Sequence, residues 1–277
     1  GKIIRIISRK SNKVMGFTKM YDNVIYIIPE DYRYNIAYRV AGGVEDVPDG
    51  QLAVAEVTAF PGDKPEPECK IVKVIGELSA LSAMTKFIEY KHSLPLRFSK
   101  AAENEAAGAV SDILPAGRKD LRGLRFVTID GKNARDFDDA VAIERTSHGF
   151  TLHVAIADVS HYVKPGSLLD EEAYKRGMSI YFPDRVLPML PKALSNGICS
   201  LNPMEDRYAV TVSMKFDPEG RATGASFYPS VIQSHMRLTY EAVEAATVNR
   251  DAKARRKVRP CVEKLGDMAG MAAVNKC

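Results

Sequence analysis

Along the first 76 residues the apolar positions come in short β-branched runs, KIIRIIS, NVIYIIP, QLAVAEVTAF and KIVKVIG. Turn-rich pieces, RKSNK, AGGVEDVPDG and PGDKPEPEC, separate them. Short strands at this spacing predict a small β-barrel or sandwich, and an OB-type barrel is the preferred form. From residue 77 the period changes. ELSALSAMTKFIEYKHSL has helical spacing, with Leu78, Leu81, Met84, Phe87 and Ile88 expected on its apolar face, and AAENEAAGAVSDILPAG reads as a second helix or a surface connector. Residues 77–118 are therefore expected to form a helical linker. From residue 119 onward, RFVTI, AVAIE and FTLHVAIADVSHYV are strand-like. SLLDEEAYKRGMS is helical with Ser167 as its N-cap. AVTVSMKFD and ATGASFYPSVIQS form a hairpin joined by PEGR. LTYEAVEAATV and RPCVEKLGDMAGMAAV are read as closing helices. The pattern is α+β without an internal repeat.

Composition adds little. The chain of 277 residues is 45% hydrophobic and 27% charged, with net charge +4, so a real core is expected and the small basic excess permits a polyanionic partner without proving one. Cys69, Cys199, Cys261 and Cys277 are widely spaced, which argues against a zinc site or a disulfide framework and for reduced thiols in the cytoplasm. No apolar run approaches a membrane span, so no membrane association is expected. The chain opens on Gly1 and stops at AAVNKC without an obvious closing element, and a piece of a longer protein is expected.

Candidate chemistry concentrates in FVTIDGKNARDFDDAVAIE. Asp130, Asp136, Asp138 and Asp139 lie within ten residues between two strand-like runs. Crowded carboxylates repel one another and raise each other's pKa unless a cation compensates. A loop at strand ends can turn all four inward, giving the oxygen-rich surroundings that Mg²⁺ takes together with water and phosphate. Two such ions can activate a water and stabilise a leaving oxygen in phosphodiester cleavage. Lys132 and Arg135 could moderate the repulsion or meet a phosphate. A solvated acidic turn and a glycosyltransferase-type DxD at Asp136 and Asp138 remain as alternatives, the latter leaving Asp130 and Asp139 unused. An EF-hand does not fit, because counting from Asp136 its glycine position holds Val141 and its glutamate position Ser147.

TIDGKNARDFDDAV, the long run from LHVAIADVSHYV to SLNP, and SHMRLTY resemble the catalytic domain of the ribonuclease II / ribonuclease R (RNB) family, with the ribonuclease R branch the nearer. The β-rich start is similar to the cold-shock-type domain that precedes it. The resemblance implies a cold-shock-like OB barrel over 1–76 followed by a mixed α/β catalytic domain over 119–277. It implies a processive Mg²⁺-dependent 3′→5′ exoribonuclease that acts on single-stranded RNA 3′ ends and releases nucleoside 5′-monophosphates. Two ions are implied, with Mn²⁺ a possible substitute, and a monomer is expected. By motif, all four aspartates correspond to the family's active-site set, with Asp130, Asp136 and Asp139 as metal ligands and Asp138 as the residue whose loss ends cleavage while sparing RNA binding. Tyr181, in SIYFPDR, corresponds to a tyrosine that stacks on a base near the 3′ end; packing against Pro183 is the bland alternative. Pro188, Pro191, Asn196 and Asn202 belong to a segment that shapes the channel floor. Asn196 or Asn202 would reach a phosphate or a water, or cap the backbone. Arg237 would touch RNA or a carboxylate.

Cys199 reads as a small core residue, and His153 as pointing away from the core. Asp158, His161 and His235 offer an acid–base pairing that a two-ion mechanism does not need. The basic run NRDAKARRKVRP is a solvated helix face or a contact to RNA backbone. The family's catalytic domain continues past the length present here, with a further arginine, a second stacking aromatic and another OB-type domain. An RNA- and metal-binding but catalytically incompetent fragment is thus the alternative reading.

Overall fold

The computed structural model describes residues 11–31, 36–44, 46–109, 117–249, 251–254, 256 and 258. They fall into two compact units, Gly1–Leu96 with Tyr181–Leu187, and Arg97–Ile180 with Pro188–Cys277.

In the first unit, β1 (Lys13–Tyr21), β2 (Val24–Pro29), β3 (Tyr38–Gly43), β4 (Gln51–Ala59) and β5 (Glu68–Glu77) close a barrel in the order β1-β2-β3-β5-β4. β3 and β5 run parallel and the other pairs antiparallel, the order of an OB-type barrel. Asp22 and Asn23, both at positive φ, make the tight β1–β2 turn, a conformation these two residue types tolerate. Val14, Ile27, Tyr38, Ala53, Ala55 and Ile71 fill the interior. The buried Thr18 hydroxyl donates to Pro48 O at 2.6 Å and accepts from Gln51 N at 2.9 Å, so this hydroxyl is fully partnered. β3 runs into a stretch that reads as turn. Its few residues carry little periodicity, and it is held as a strand by β2 on one side and β5 on the other. KIIRIIS lies outside the described residues.

The expected apolar face of α1 (Leu81–Lys91) is corrected by the structure. Leu81, Met84 and Ile88 are exposed, as is Leu78 just before the helix, while Ala83 and Phe87 are buried against Leu52. The reason is close approach. A Cβ placed on Gly76 would lie 3.0 Å from the Ala83 Cβ, so the helix meets the barrel through Ala83 with Phe87 beside it and turns Leu81, Met84 and Ile88 outward. In the same unit the turn after β10 (Ile180–Tyr181), which pairs with β11 (Val186–Leu187), is fastened to α1. Thr85 Oγ1 donates to Asp184 at 3.1 Å and Arg185 pairs with the buried Glu89 at 2.8 Å.

The second unit contains β6 (Lys119–Asp120), β7 (Phe126–Asp130), β8 (Asp139–Thr146), β9 (Gly149–Ala157), β12 (Asp206–Phe216) and β13 (Ala222–Thr239), ordered β12-β9-β8-β7-β13-β6. β13 is 18 residues long and pairs with β12 along its first part and with β7 along its second, which closes a ring of hydrogen-bonded strands. The β12–β13 hairpin turns at PEGR as expected, with Arg221 N bonded to Asp217 Oδ1 at 2.8 Å. Of the two helices the sequence groups in one connector, α2 (Lys100–Gly108) belongs here. Its Ala102 and Ala106 pack with Leu169 of α4 (Leu168–Arg176) and with Leu194 and Cys199. Ser167 caps α4 by accepting from Asp170 N at 3.2 Å. α3 (Val159–Tyr162) follows β9, and α5 (Tyr240–Thr247) continues β13 after the Thr239 cap.

Cys199 is a core residue as expected. Burial pushes its thiol, and that of the equally buried Cys69, up to about 12. His153 is corrected. It is buried, with Nδ1 2.7 Å from Ser213 Oγ and Nε2 3.0 Å from Glu144 Oε2. Partners on the two neighbouring strands satisfy both ring nitrogens, so the ring can share the inner face with Ala155 and Ala157. The predicted RPCVEKLGDMAGMAAV helix and much of the basic run lie outside the described residues. Among the described residues no helix is long and apolar enough to cross a membrane.

Candidate active site

The loop from the end of β7 to the start of β8 carries all four aspartates, Asp130 closing one strand and Asp139 opening the next. Its shape follows from one apolar residue among the acids. Phe137 is buried with Leu121, Phe126 and Ala140, drawing the middle of the loop into the core while its neighbours Asp136 and Asp138 remain near the surface. Backbone bonds fix the rest. Ala157 N donates to Asp138 O and Leu201 N to Phe137 O, each at 2.9 Å. The Ser200 hydroxyl accepts from Phe137 N at 3.0 Å and donates to Arg135 O at 3.1 Å. Arg237 Nη2 donates to Gly131 O at 2.8 Å and Lys132 O at 2.7 Å, with its guanidinium 5.3 Å from the centre of the Phe137 ring.

The carboxylates sense one another. Burial raises the Asp130 pKa, and Asp139, Asp136 and Asp138 add to the rise while Arg237 opposes it. Asp130 Oδ2 is buried without a hydrogen-bond partner. Asp138 keeps an exposed surface, yet enough protein surrounds it that lost hydration is the first cause of its raised pKa, ahead of Asp136 and Asp139. A hard dication fits this chemistry, because it would add to the counter-charge of Arg237 and supply a partner for the orphaned oxygen. Among the described residues, however, no three His, Cys, Asp or Glu side chains converge on one ion position. A full shell would draw on water, on phosphate and on side-chain rotation.

Beside the loop opens a cavity of about 650 Å³. Lys132, Asn133 and Arg135 reach it from the aspartate loop, Asn196 and Asn202 from the segment after β11, and Arg237 from β13. Three of the predicted RNA-contacting residues are thus brought together. Asn202 Nδ2 also donates to Asn196 O at 3.5 Å, so the Asn202 amide holds backbone as well as lining the space, and Asn196 Oδ1 accepts from the side chain of Ser195 at 3.2 Å. Arg237 spends its hydrogen bonds on loop carbonyls. Tyr181 groups with the first unit and is 66% exposed.

The Asp158–His161 pairing is structural. Asp158 caps α3 and accepts from Ser160 Oγ at 2.6 Å and His161 N at 3.2 Å, and it forms a buried ion pair with Arg118, whose guanidinium lies 4.5 Å from the Tyr208 ring centre. Burial alone would raise the Asp158 pKa, but Ser160, Arg118 and the His161 N–H together outweigh it and the net shift is downward. Sequence reasoning missed Asn133, Ser200 and Arg207. Ser200 gives no local signal, since its loop partners lie more than 60 positions away.

Residues 118–273 match the RNB domain family and residues 26–99 the Cold shock domain family. The chain is 41% identical over 261 residues to ribonuclease R of Acidithiobacillus ferrooxidans, covering 92% of this chain and 59% of the relative. It is 40% identical over 250 residues to ribonuclease R of Thermotoga maritima, covering 88% of this chain and 35% of that one. Among solved structures, the apo form of Mycoplasma genitalium RNase R superposes with a TM-score of 0.77 at 28% identity, over 98% of this chain and 43% of that one. The chain therefore spans between about a third and three fifths of the curated relatives it matches.

Proposed function

The chain belongs to the RNB domain family, and on that premise we propose that it carries the metal-binding half of the centre of a 3′→5′ exoribonuclease. The enzyme hydrolyses single-stranded RNA to nucleoside 5′-monophosphates, as a monomer in the cytoplasm. Asp130, Asp136 and Asp139 would hold two Mg²⁺ ions, for which Mn²⁺ could substitute, and the chemistry these would supply is Lewis-acid activation of a phosphodiester and of a water. Asp138 stands beside these ligands as the carboxylate whose loss stops cleavage without releasing RNA. Lys132 and Arg135, with the amides of Asn196 and Asn202, receive backbone phosphates in the cavity, where charge and hydrogen bonding accept any sequence. Arg237 keeps the loop closed against its own repulsion. Tyr181 stacks on a base near the 3′ end, a contact equally indifferent to base identity.

The observation that carries this reading is the joining of two opposite surfaces by one ten-residue loop. Two of its carboxylates, Asp130 and Asp138, are held above the ordinary pKa value by burial and by their acidic neighbours, and its basic and amide residues line a neighbouring cavity. Binding of RNA and metal without turnover is the second reading. Digestion of RNA by the protein expressed from its complete reading frame separates the two. With Mg²⁺, 3′-labelled RNA releases labelled mononucleotide from the first time point, and 5′-labelled RNA shortens to a small end product; both reactions stop with chelator. RNA retained on a filter but never shortened establishes the second reading instead.

A further inference from the structure

Ser200 is remote from the aspartates in sequence and central to them in space. It is fully buried, and its single hydroxyl serves both as acceptor for Phe137 N, at 3.0 Å, and as donor to Arg135 O, at 3.1 Å. These are the backbone groups on either side of Asp136, and Phe137 immediately precedes Asp138. Leu201 N adds a third bond, to Phe137 O at 2.9 Å. Ser200 is in turn held from behind. Arg207, itself buried, donates through Nε to Ser200 O at 2.8 Å and reaches Gly197 O at 3.4 Å. Arg237 places its hydrogen bonds at the opening of the loop, on Gly131 and Lys132, and its guanidinium near the Phe137 ring, while the hydrogen bonds to Arg135 O, Phe137 N and Phe137 O come from segment 200–201.

We propose that Ser200 is a positioning residue for the metal centre, its hydroxyl fixing the backbone on both sides of Asp136 and thereby the direction in which the Asp136 and Asp138 carboxylates project. The inference rests on the metal reading above. Few other side chains can do this. The site needs one short group that donates and accepts at once, which a hydroxyl does and an alkyl group does not. Water is a poor replacement in a fully buried position. A Phe137 N–H left without an acceptor would be relieved by a shift of the loop, and Mg²⁺ tolerates little displacement of its ligands.

The test is Mn²⁺ binding followed by the loss of the free-ion electron paramagnetic resonance signal, in wild type, Ser200→Ala and Ser200→Thr. RNA retention and thermal melting in EDTA are recorded beside it. Ser200→Ala is expected to weaken Mn²⁺ binding roughly tenfold, the lower end of the effect of removing an outer-shell partner. RNA retention in EDTA stays unchanged, and Ser200→Thr, which keeps the hydroxyl, restores Mn²⁺ binding. Wild-type Mn²⁺ affinity in Ser200→Ala overturns the proposal, and so does a threonine variant as weak as the alanine one, since packing and not the hydroxyl would then be at issue. Should Ser200→Ala melt out in EDTA, Ser200→Cys takes its place: weaker Mn²⁺ binding supports the role and unchanged binding overturns it. A wild-type protein that takes up no Mn²⁺ removes the metal reading itself and this inference with it, an outcome distinct from the others.

Discussion

Asp158 and Asp130 both follow central strands of the second unit, Asp158 directly after β9 and Asp130 as the last residue of β7. Around Asp158 the fold assembles Arg118, the Ser160 hydroxyl and the His161 N–H, and its carboxyl titrates below the ordinary value despite burial. Around Asp130 it assembles three more carboxylates, and one oxygen of Asp130 has no partner. Burial costs both aspartates hydration; only one is compensated. A fold selected for stability alone would treat them alike. The uncompensated loop marks a place where stability is traded for readiness to take a cation and a phosphate chain.

The sharpest way to break this contrast is to remove one carboxylate from the crowded loop. Asp138→Asn is expected to lower the rate of RNA degradation by the complete protein on the order of a thousandfold or more, with RNA retention intact. Wild-type rates would remove Asp138 from the mechanism. Next comes the compensated site. Arg118→Ala leaves Asp158 buried and unpaired and should cost about 3–5 kcal/mol in denaturant unfolding, with the loss concentrated in the second unit. Asp130→Asn in EDTA should leave stability equal or higher, because it removes a repelling charge, and a marked loss there would erase the difference between the two places.

Metal supplies a third test. At a hundredfold excess over its dissociation constant, Mg²⁺ should stabilise the wild-type protein by about 2.7 kcal/mol in thermal or denaturant melts. Asp130→Asn combined with Asp136→Asn should abolish the gain. The smallest effect is in pH. Asp158, with a lowered folded value, contributes stability that is present above its ordinary pKa of 3.8 and is lost as pH falls through the folded value. Asp130 and Asp138, with raised folded values, act oppositely. In metal-free protein their penalty is full near neutrality and fades as pH falls through those values toward 3.8. Melting of metal-free wild type against Asp130→Asn should therefore show a gap that closes on mild acidification, whereas the gap against Asp158→Asn persists to lower pH.

The strands flanking the aspartate loop, the β12–β13 hairpin and the Ser167 cap were legible because each is written in neighbouring residues: alternation, a PEGR turn, a serine before a helical run. The acidic cluster was legible for the same reason. What the sequence hid depends on partners far along the chain. β3 is a strand only between β2 and β5, and α1 sets Ala83 close against Gly76 with its aliphatic stripe outward. His153 looked outward-facing because its partners, Glu144 and Ser213, lie on other strands. Ser200 is the extreme case, an unremarkable serine until Arg135 and Phe137 are placed against it.

β13 shows how narrow the tolerance around the site is. Its pairing with β7 slips between Ser234 and Met236, where His235 is an extra residue facing no counterpart. Everything after that point, Arg237 included, owes its side of the sheet to this one surplus residue. Were His235 drawn into the ladder opposite Val127, Arg237 would stand beside Ile129 instead of Thr128, and the guanidinium that closes the aspartate loop would point to the opposite face.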